Sequence, residues 1–193
     1  MEVNNMGAAV PIRNVNDINT FLQHFKTKHE YRNFVMVTLG IYTALRISDI
    51  LSLKLSDVFN LKNRNVLKQI TLTEKKTGKT KTIALNKKAV AALRLLTPSS
   101  SQDTPLILNE RTGRAITREH AFRIISNAAK EIGLAFKVSC HSLRKTFGYF
   151  AWKTGSSPVV IMEIFNHSSY SVTKRYLGIT QDEIDFVYLN LRI

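Results

Sequence analysis

The last third of this chain carries His141, Arg144, His167 and Tyr176 in the runs H-S-L-R and F-N-H-S-S-Y-S-V-T-K-R-Y. An HxxR alone is a weak signal. One followed 23 residues later by a His, and nine residues after that by a Tyr, is far more selective. Arg46, well upstream in A-L-R-I-S-D, brings the set to two arginines, two histidines and a tyrosine. Those groups suit attack on a phosphodiester: a phenol to attack, guanidinium groups to hold the phosphate, imidazoles to move protons.

A phosphodiester under attack gains negative charge on its non-bridging oxygens. Two guanidinium groups can clamp that charge bidentately and stay charged at any physiological pH. Arg46 and Arg144 could form such a pair. Taken singly, Arg144 is one of 28 basic residues. Arg46 stands out more, because it lies between apolar segments where a charge without a partner is costly. Asp49, three residues on, can be that partner on one helical face. His141 precedes Arg144 by one helical turn, so both can reach one phosphate. An imidazole there can donate a hydrogen bond or take the attacking proton near neutral pH. A helix-start or core histidine would read the same way in isolation.

Tyr176 is the candidate nucleophile. A phenol with a pKa of about 10 needs proton removal and a phosphate activated by cations. Tyr149, Tyr170 and Tyr188 compete in the same third, but only Tyr176 combines the spacing from His167 with the flanking T-K-R. Lys76, in T-E-K-K-T-G-K-T-K-T, sits at a polar hairpin tip. From there a flexible lysine can enter a DNA groove and protonate a leaving oxygen. Lys75, Lys79 and Lys81 share that basic turn and also suit phosphate contact. G-K-T at 78–80 is not a nucleotide-binding P-loop, since position 73 is Thr rather than Gly and the segment is a hairpin. The two histidines have no familiar zinc spacing, and one cysteine makes no metal cluster. Cys140 adjoins His141 in sequence, yet adjacent helical residues do not face each other, which argues against a Cys–His nucleophile.

The net charge of +14 and pI near 10.1 call for a polyanionic partner. Nucleic acid comes first and an anionic membrane surface second. At 44% hydrophobic and 22% charged, the 193 residues suit one globular domain with a sizeable core. No apolar run approaches the roughly 18 residues that span a membrane, and no secretory leader is evident. Cys140 has no partner for an internal disulfide and fits a reducing cytosol.

The elements that must position these groups follow from periodicity. Residues 1–14 read as a flexible lead-in. Ile18, Phe21, Leu22 and Phe25 mark a helix from Val15 to Lys28, capped by Asn14 or Asn16. A mostly apolar helix runs from Tyr31 to Leu45, and Ile47, Ile50 and Leu51 suggest a short one with Arg46 at the junction. Residues 56–60, 66–73 and 80–85 read as strands, the last two as a hairpin with Gly78 in its turn. Asn86 caps a helix through Leu96, and T-P-S-S-S-Q-D-T-P, residues 97–105, is a loop. A further helix from Thr117 to about Ile132 has the stripe Phe122, Ile125, Ala129, Ile132, and three more helices fill the C-terminal third. The stripe Ile184, Val187, Tyr188, Leu191 near the end requires a groove, on this chain or on a neighbour. The order of helices, small antiparallel sheet and helices is that of an α+β domain.

Taken together, A-L-R-I-S-D, K-K-T-G-K, H-S-L-R-K-T-F and F-N-H-S-S-Y-S-V-T-K-R-Y resemble the tyrosine recombinase (phage integrase) family, in family order over residues 15 to 185. The resemblance implies a mainly helical α+β catalytic domain over residues 15–193 with a small three-stranded antiparallel sheet. It also implies a C-terminal helix over residues 181–193, exchanged onto a neighbouring protomer or packed on its own domain, and that the family's amino-terminal DNA-clamping domain has no counterpart here. By position, Arg46, Lys76, His141, Arg144 and His167 correspond to the catalytic basic set, Tyr176 to the nucleophile, and Asp49 to a supporting acid. Lys76 corresponds to the general acid, with Lys75 and Lys79 as alternatives in the same lysine-rich hairpin, His141 to a proton-transfer group and His167 to a phosphate donor. The implied reaction joins Tyr176 to a DNA 3′-phosphate, frees a 5′-hydroxyl, and reverses onto another strand, with no cofactor and no metal. Phe165-Asn166-His167 departs from the usual Leu-Gly-His. Asn tolerates the left-handed backbone a Gly would take, so the turn can survive. The implied partner is double-stranded DNA, bound by a homo-tetramer that is weak or monomeric when free, with DNA-bending accessory proteins. The implied setting is cytoplasmic and nucleoid-associated, in a bacterium or phage. A type IB topoisomerase shares this Tyr, Arg and His chemistry on one duplex. A catalytically silent DNA-binding module of the same fold is the reading outside enzymes.

Overall fold

The computed structural model describes residues 9–73, 78–97, 101–177, 179 and 181–191. Two helices begin the domain. In α1 (Val15–Thr27) the Asn14 side chain accepts from the Asn16 amide at 2.8 Å, and Ile18, Phe21, Leu22 and Phe25 are buried as their spacing predicts. Helix α2 (Tyr31–Tyr42) is buried on most sides, with Val35, Met36, Val37 and Leu39 fully enclosed. It crosses helix α7 (Cys140–Lys153) at close range: a Cβ on Gly40 would stand 2.7 Å from Leu143 Cδ1, so only a glycine admits this approach.

After α2 come two one-turn helices, α3 (Ile47–Ile50) and α4 (Leu55–Val58). Residues 56–58, expected in a strand, belong to α4. The expected three-stranded sheet is instead a set of two-stranded antiparallel pairs among the described residues. Strand β1 (Phe59–Asn60) pairs with β2 (Asn65–Val66), and β3 (Gln69–Thr73) pairs with β4 (Thr80–Ala84). The predicted strand 66–73 is split because Val66 opposes Phe59 whereas Gln69 opposes Ala84, so its two ends serve different partners. A third pair, β5 (Leu108–Asn109) with β6 (Arg114–Ala115), occupies a stretch too short for alternation to register. The hairpin tip, residues 74–77, lies outside the described residues, and Lys75 and Lys76 with it.

Helix α5 (Lys87–Leu93) is capped by Asn86, whose side chain accepts from the Ala89 amide at 2.9 Å. Helix α6 (Arg118–Glu131) buries Ala121, Ile125, Ala128 and Ala129. Phe122, expected in that stripe, is 39% exposed. Ile125 and Ala129 are buried as expected, but the small Ala121 and Ala128 complete the buried face in place of Phe122. The C-terminal third holds four described helices rather than three: α7, α8 (Pro158–Phe165), α9 (Tyr170–Leu177) and α10 (Gln181–Leu189). Pro158 at the first turn starts α8 as a separate helix, with Ser157 capping it.

The main core gathers α1, α2, α5, α6 and the near face of α7. A second, smaller cluster of Ala44, Ile161, Phe165 and Leu177 lies on the other side of α7, with Phe147, Trp152 and Tyr176 against it. Gly148 lets this cluster close, since a Cβ there would stand 2.7 Å from Phe165 Cζ. Of the predicted apolar stripe, Ile184 on α10 is partly buried, whereas Tyr188 on α10 is 80% exposed and Leu191 just beyond it 70%; the Val187 side chain lies outside the described residues. No described helix is long and apolar enough to cross a membrane.

Candidate active site

The site begins at the end of α2. Ala44, fully buried, takes a left-handed backbone with φ 57°. For a non-glycine residue this conformation costs roughly 1 kcal/mol. The turn it makes delivers Arg46 in extended backbone at the start of α3. The Arg46 guanidinium lies 4.0 Å from the fully buried Asp49 carboxylate, the pairing expected from their spacing. Its other terminal nitrogen lies 3.5 Å from the carbonyl oxygen of Phe165.

Arg144 comes from the first turns of α7, whose start is fixed by reciprocal Ser139 and Ser142 hydrogen bonds. It is only 2% exposed, which a guanidinium tolerates only when its donors are used. One terminal nitrogen donates to the Ala44 carbonyl, the other to the Phe165 carbonyl at 2.7 Å, and its carbon sits 4.6 Å from the centre of the Phe165 ring. Both arginines therefore converge on one acceptor, at the carboxyl end of α8.

That end is closed by Asn166, left-handed at φ 50°, ψ 49°, so the turn survives the replacement of the usual glycine. His167 follows. Its Nδ1 lies 3.0 Å from the Thr173 hydroxyl on α9, and its ring centre lies 4.7 Å from that of Tyr176 on the same helix. Tyr176 also packs against Phe165 at 5.4 Å, and the Lys145 ammonium stands 5.4 Å from its ring centre.

His141 lies in the first turn of α7, on the cavity rim. Partial burial of its ring, then the charges of Arg144, Arg118, Lys145 and Arg46, hold its pKa below the ordinary histidine value. The shift favours the uncharged imidazole, the form that can accept a proton. Next to it, burial pushes the Cys140 thiol up to about 11. A protonated thiol is a poor nucleophile, which agrees with the sequence argument against a Cys–His pair.

Arg46, His141, Arg144, His167 and Tyr176 line one cavity of about 880 Å³. Lys76 is the exception, lying outside the described residues. Sequence reasoning did not single out Arg118, which also lines the cavity from the start of α6. Nor did it single out Lys145, although it adjoins Arg144 in H-S-L-R-K. The shared acceptor was not visible at all, because a backbone carbonyl carries no residue signature. Chemically, the cavity offers a phenol, imidazoles and guanidinium groups with capacity for an anion.

The model of the phage integrase family matches residues 13–183. A probable integrase/recombinase, YoeC of Bacillus subtilis, is 34% identical over 178 residues, covering 92% of this chain and 94% of its own. The tyrosine recombinase XerC of Anoxybacillus flavithermus is 26% identical over 91% of this chain and 57% of its own length. The chain thus spans nearly all of YoeC but little more than half of this XerC. Among solved structures, XerA recombinase superposes with a TM-score of 0.75 at 21% identity, over 96% of this chain and 68% of that one. The XerH recombinase, in a post-cleavage complex with its difH substrate, superposes with a TM-score of 0.73 over 95% of this chain and 54% of that one. With the family model matched along nearly its whole length, the chain belongs to the phage integrase family of tyrosine recombinases, enzymes that break and rejoin DNA strands.

Proposed function

We propose that this chain recombines specific DNA sites, with Tyr176 as the nucleophile. The Tyr176 oxygen attacks the scissile phosphorus, a 3′-phosphotyrosyl bond forms, and the 5′-oxygen leaves as a hydroxyl after gaining a proton. The phosphoester energy is retained in the new bond, so a 5′-hydroxyl from a partner strand can reverse the step without ATP. Arg46 and Arg144 hold the non-bridging oxygens. His141 takes the phenolic proton or supports its transfer, and His167 hydrogen-bonds the phosphate. Lys76 protonates the leaving oxygen, and Asp49 supports Arg46.

The observation that carries this reading is that Tyr176 and His167 share one cavity with two arginines fixed on a common carbonyl. The charge of +14 supports double-stranded DNA as partner. The exposed Tyr188, Leu189 and Leu191 support docking of the C-terminal segment on a neighbouring protomer in a tetramer formed on DNA. Bending of the site by accessory proteins and action on cytoplasmic bacterial or phage DNA complete the reading, and the bacterial relatives support the latter.

The test is a nicked duplex carrying a candidate site, from which the cleaved fragment diffuses away. Wild type should leave a covalent protein–DNA adduct on a denaturing gel, and Tyr176→Phe should leave none while still binding DNA. Salt-sensitive binding with no adduct from wild type would instead describe a silent binding module. Exchange between two duplexes separates a recombinase from a topoisomerase.

A further inference from the structure

The carboxyl end of α8 collects cations from distant segments. Beyond the two arginines on Phe165, the Ile164 carbonyl accepts from Lys81 Nζ, 83 residues away in sequence. The Asn166 side-chain oxygen accepts from Lys79 Nζ at 3.3 Å, 87 residues away. Lys81 lies in β4 and is half-buried; Lys79 immediately precedes that strand. As i and i+2 positions, the two lysines fall on one side of the chain. Helix carbonyls at a C-terminus carry partial negative charge, so an ammonium is favoured there. Glycine at 166 would allow the same left-handed backbone but offers no side-chain acceptor. Lys81 also opposes Leu72 across the β3–β4 ladder, so whatever holds Lys81 also restrains the paired strands β3 and β4.

We propose that Lys81, with Lys79 on Asn166 as a second tether, is a positioning residue for strand cleavage: it fastens the hairpin bearing Lys76 to the turn bearing His167. The inference rests on the reading of Lys76 as general acid. The tether sets the acid and the phosphate-binding groups against each other before DNA arrives. Charge alone on the hairpin would not achieve this, because a free hairpin would hold its lysine at variable depth.

The experiment compares two nicked duplexes, one with the normal bridging 5′-oxygen and one with a bridging 5′-sulfur at the scissile phosphate. A thiolate leaves without a proton, so the sulfur substrate does not need the acid. Lys81→Met should slow adduct formation on the oxygen substrate by about ten- to hundredfold, the scale of a misplaced catalytic group. DNA affinity and melting temperature should stay near wild type, and the sulfur substrate should remove most of the defect. Lys81→Arg should recover most of the rate, and Asn166→Gly should show a smaller defect of the same kind. Equal slowing of Lys81→Met on both substrates, or no slowing on either, overturns the proposal. Lys76→Ala is the control. If sulfur rescues Lys76→Ala but not Lys81→Met, the tether fails while the acid stands. If sulfur rescues neither, the acid assignment fails and the proposal falls with it.

Discussion

The buried guanidinium of Arg144 donates to the carbonyl oxygen of Ala44, a residue held in left-handed backbone two positions before Arg46. The strained turn that presents one arginine is thus stabilised by the other. Arg144→Lys should break this arrangement. An ammonium lacks the planar fork needed to reach the Ala44 and Phe165 carbonyls while lying over the Phe165 ring. Adduct formation should fall by about a hundredfold or more, on the scale of losing an oxyanion donor. DNA affinity measured by gel shift should change little.

Ala44→Val tests the same turn from the other side. A β-branched residue is a poor fit at φ 57°, and the extra methyls have no space in a fully buried position. Denaturant unfolding should show a loss of about 2 kcal/mol or more from overpacking and backbone strain together. Cleavage should fall further than stability alone predicts, because Arg46 and Arg144 lose their mutual register.

Gly148→Ala should disturb the site without touching it. The added Cβ would meet Phe165 Cζ at 2.7 Å, and Phe165 also carries the carbonyl that both arginines use. Overpacking of this kind costs about 1 to 3 kcal/mol, measurable by chemical unfolding. Cleavage rate should drop even where the protein is fully folded.

On the proposed mechanism, the acid side of the pH profile belongs to His141. Its folded pKa is depressed below 6.5, first by burial and then by neighbouring cations. The imidazole is therefore neutral above its unfolded value, and protonation sets in only as pH falls below it. The second-order rate of adduct formation should hold down to about pH 6.5 and fall below that, with a midpoint lower than an ordinary histidine gives. His141→Gln should remove that limb and lower the plateau. Because the unfolded chain binds the proton first, the stability contribution has the same sign: present above the unfolded pKa and lost as pH falls towards the folded one.

The C-terminal segment offers a prediction about assembly. Tyr188→Asp combined with Leu191→Asp should leave the monomer's melting temperature unchanged, since both side chains are largely exposed. On DNA carrying two sites, the slow-migrating multi-protomer complex should be lost, while binding to a single site is retained.

Much of this was legible from residues alone, for physical reasons that differ by element. The α1 stripe could be read because four large apolar residues recur at helical spacing, and Asp49 could be assigned to Arg46 because both lie on one turn. The α6 stripe was misjudged at Phe122, because size suggested burial where small alanines make the contact. The three-stranded sheet was misjudged because alternation is the same whichever neighbour a strand takes, and β2 and β3 take different ones. Type and spacing picked out five side chains that the fold brings to one cavity, Arg46, His141, Arg144, His167 and Tyr176. What holds them left no such signal, since the carbonyls of Ala44, Ile164 and Phe165 belong to residues with no polar side chain.

Those carbonyl contacts span 100 and 119 residues of sequence, between Arg144 and Ala44 and between Arg46 and Phe165. Closing loops of that length requires the intervening chain to have found its place. A partly unfolded molecule still carries Tyr176 and the cations in its sequence, yet lacks the contacts that bring them to one cavity. On the proposed mechanism the arginine pair is an interlock: strand cleavage waits until the fold able to reseal the strand has closed.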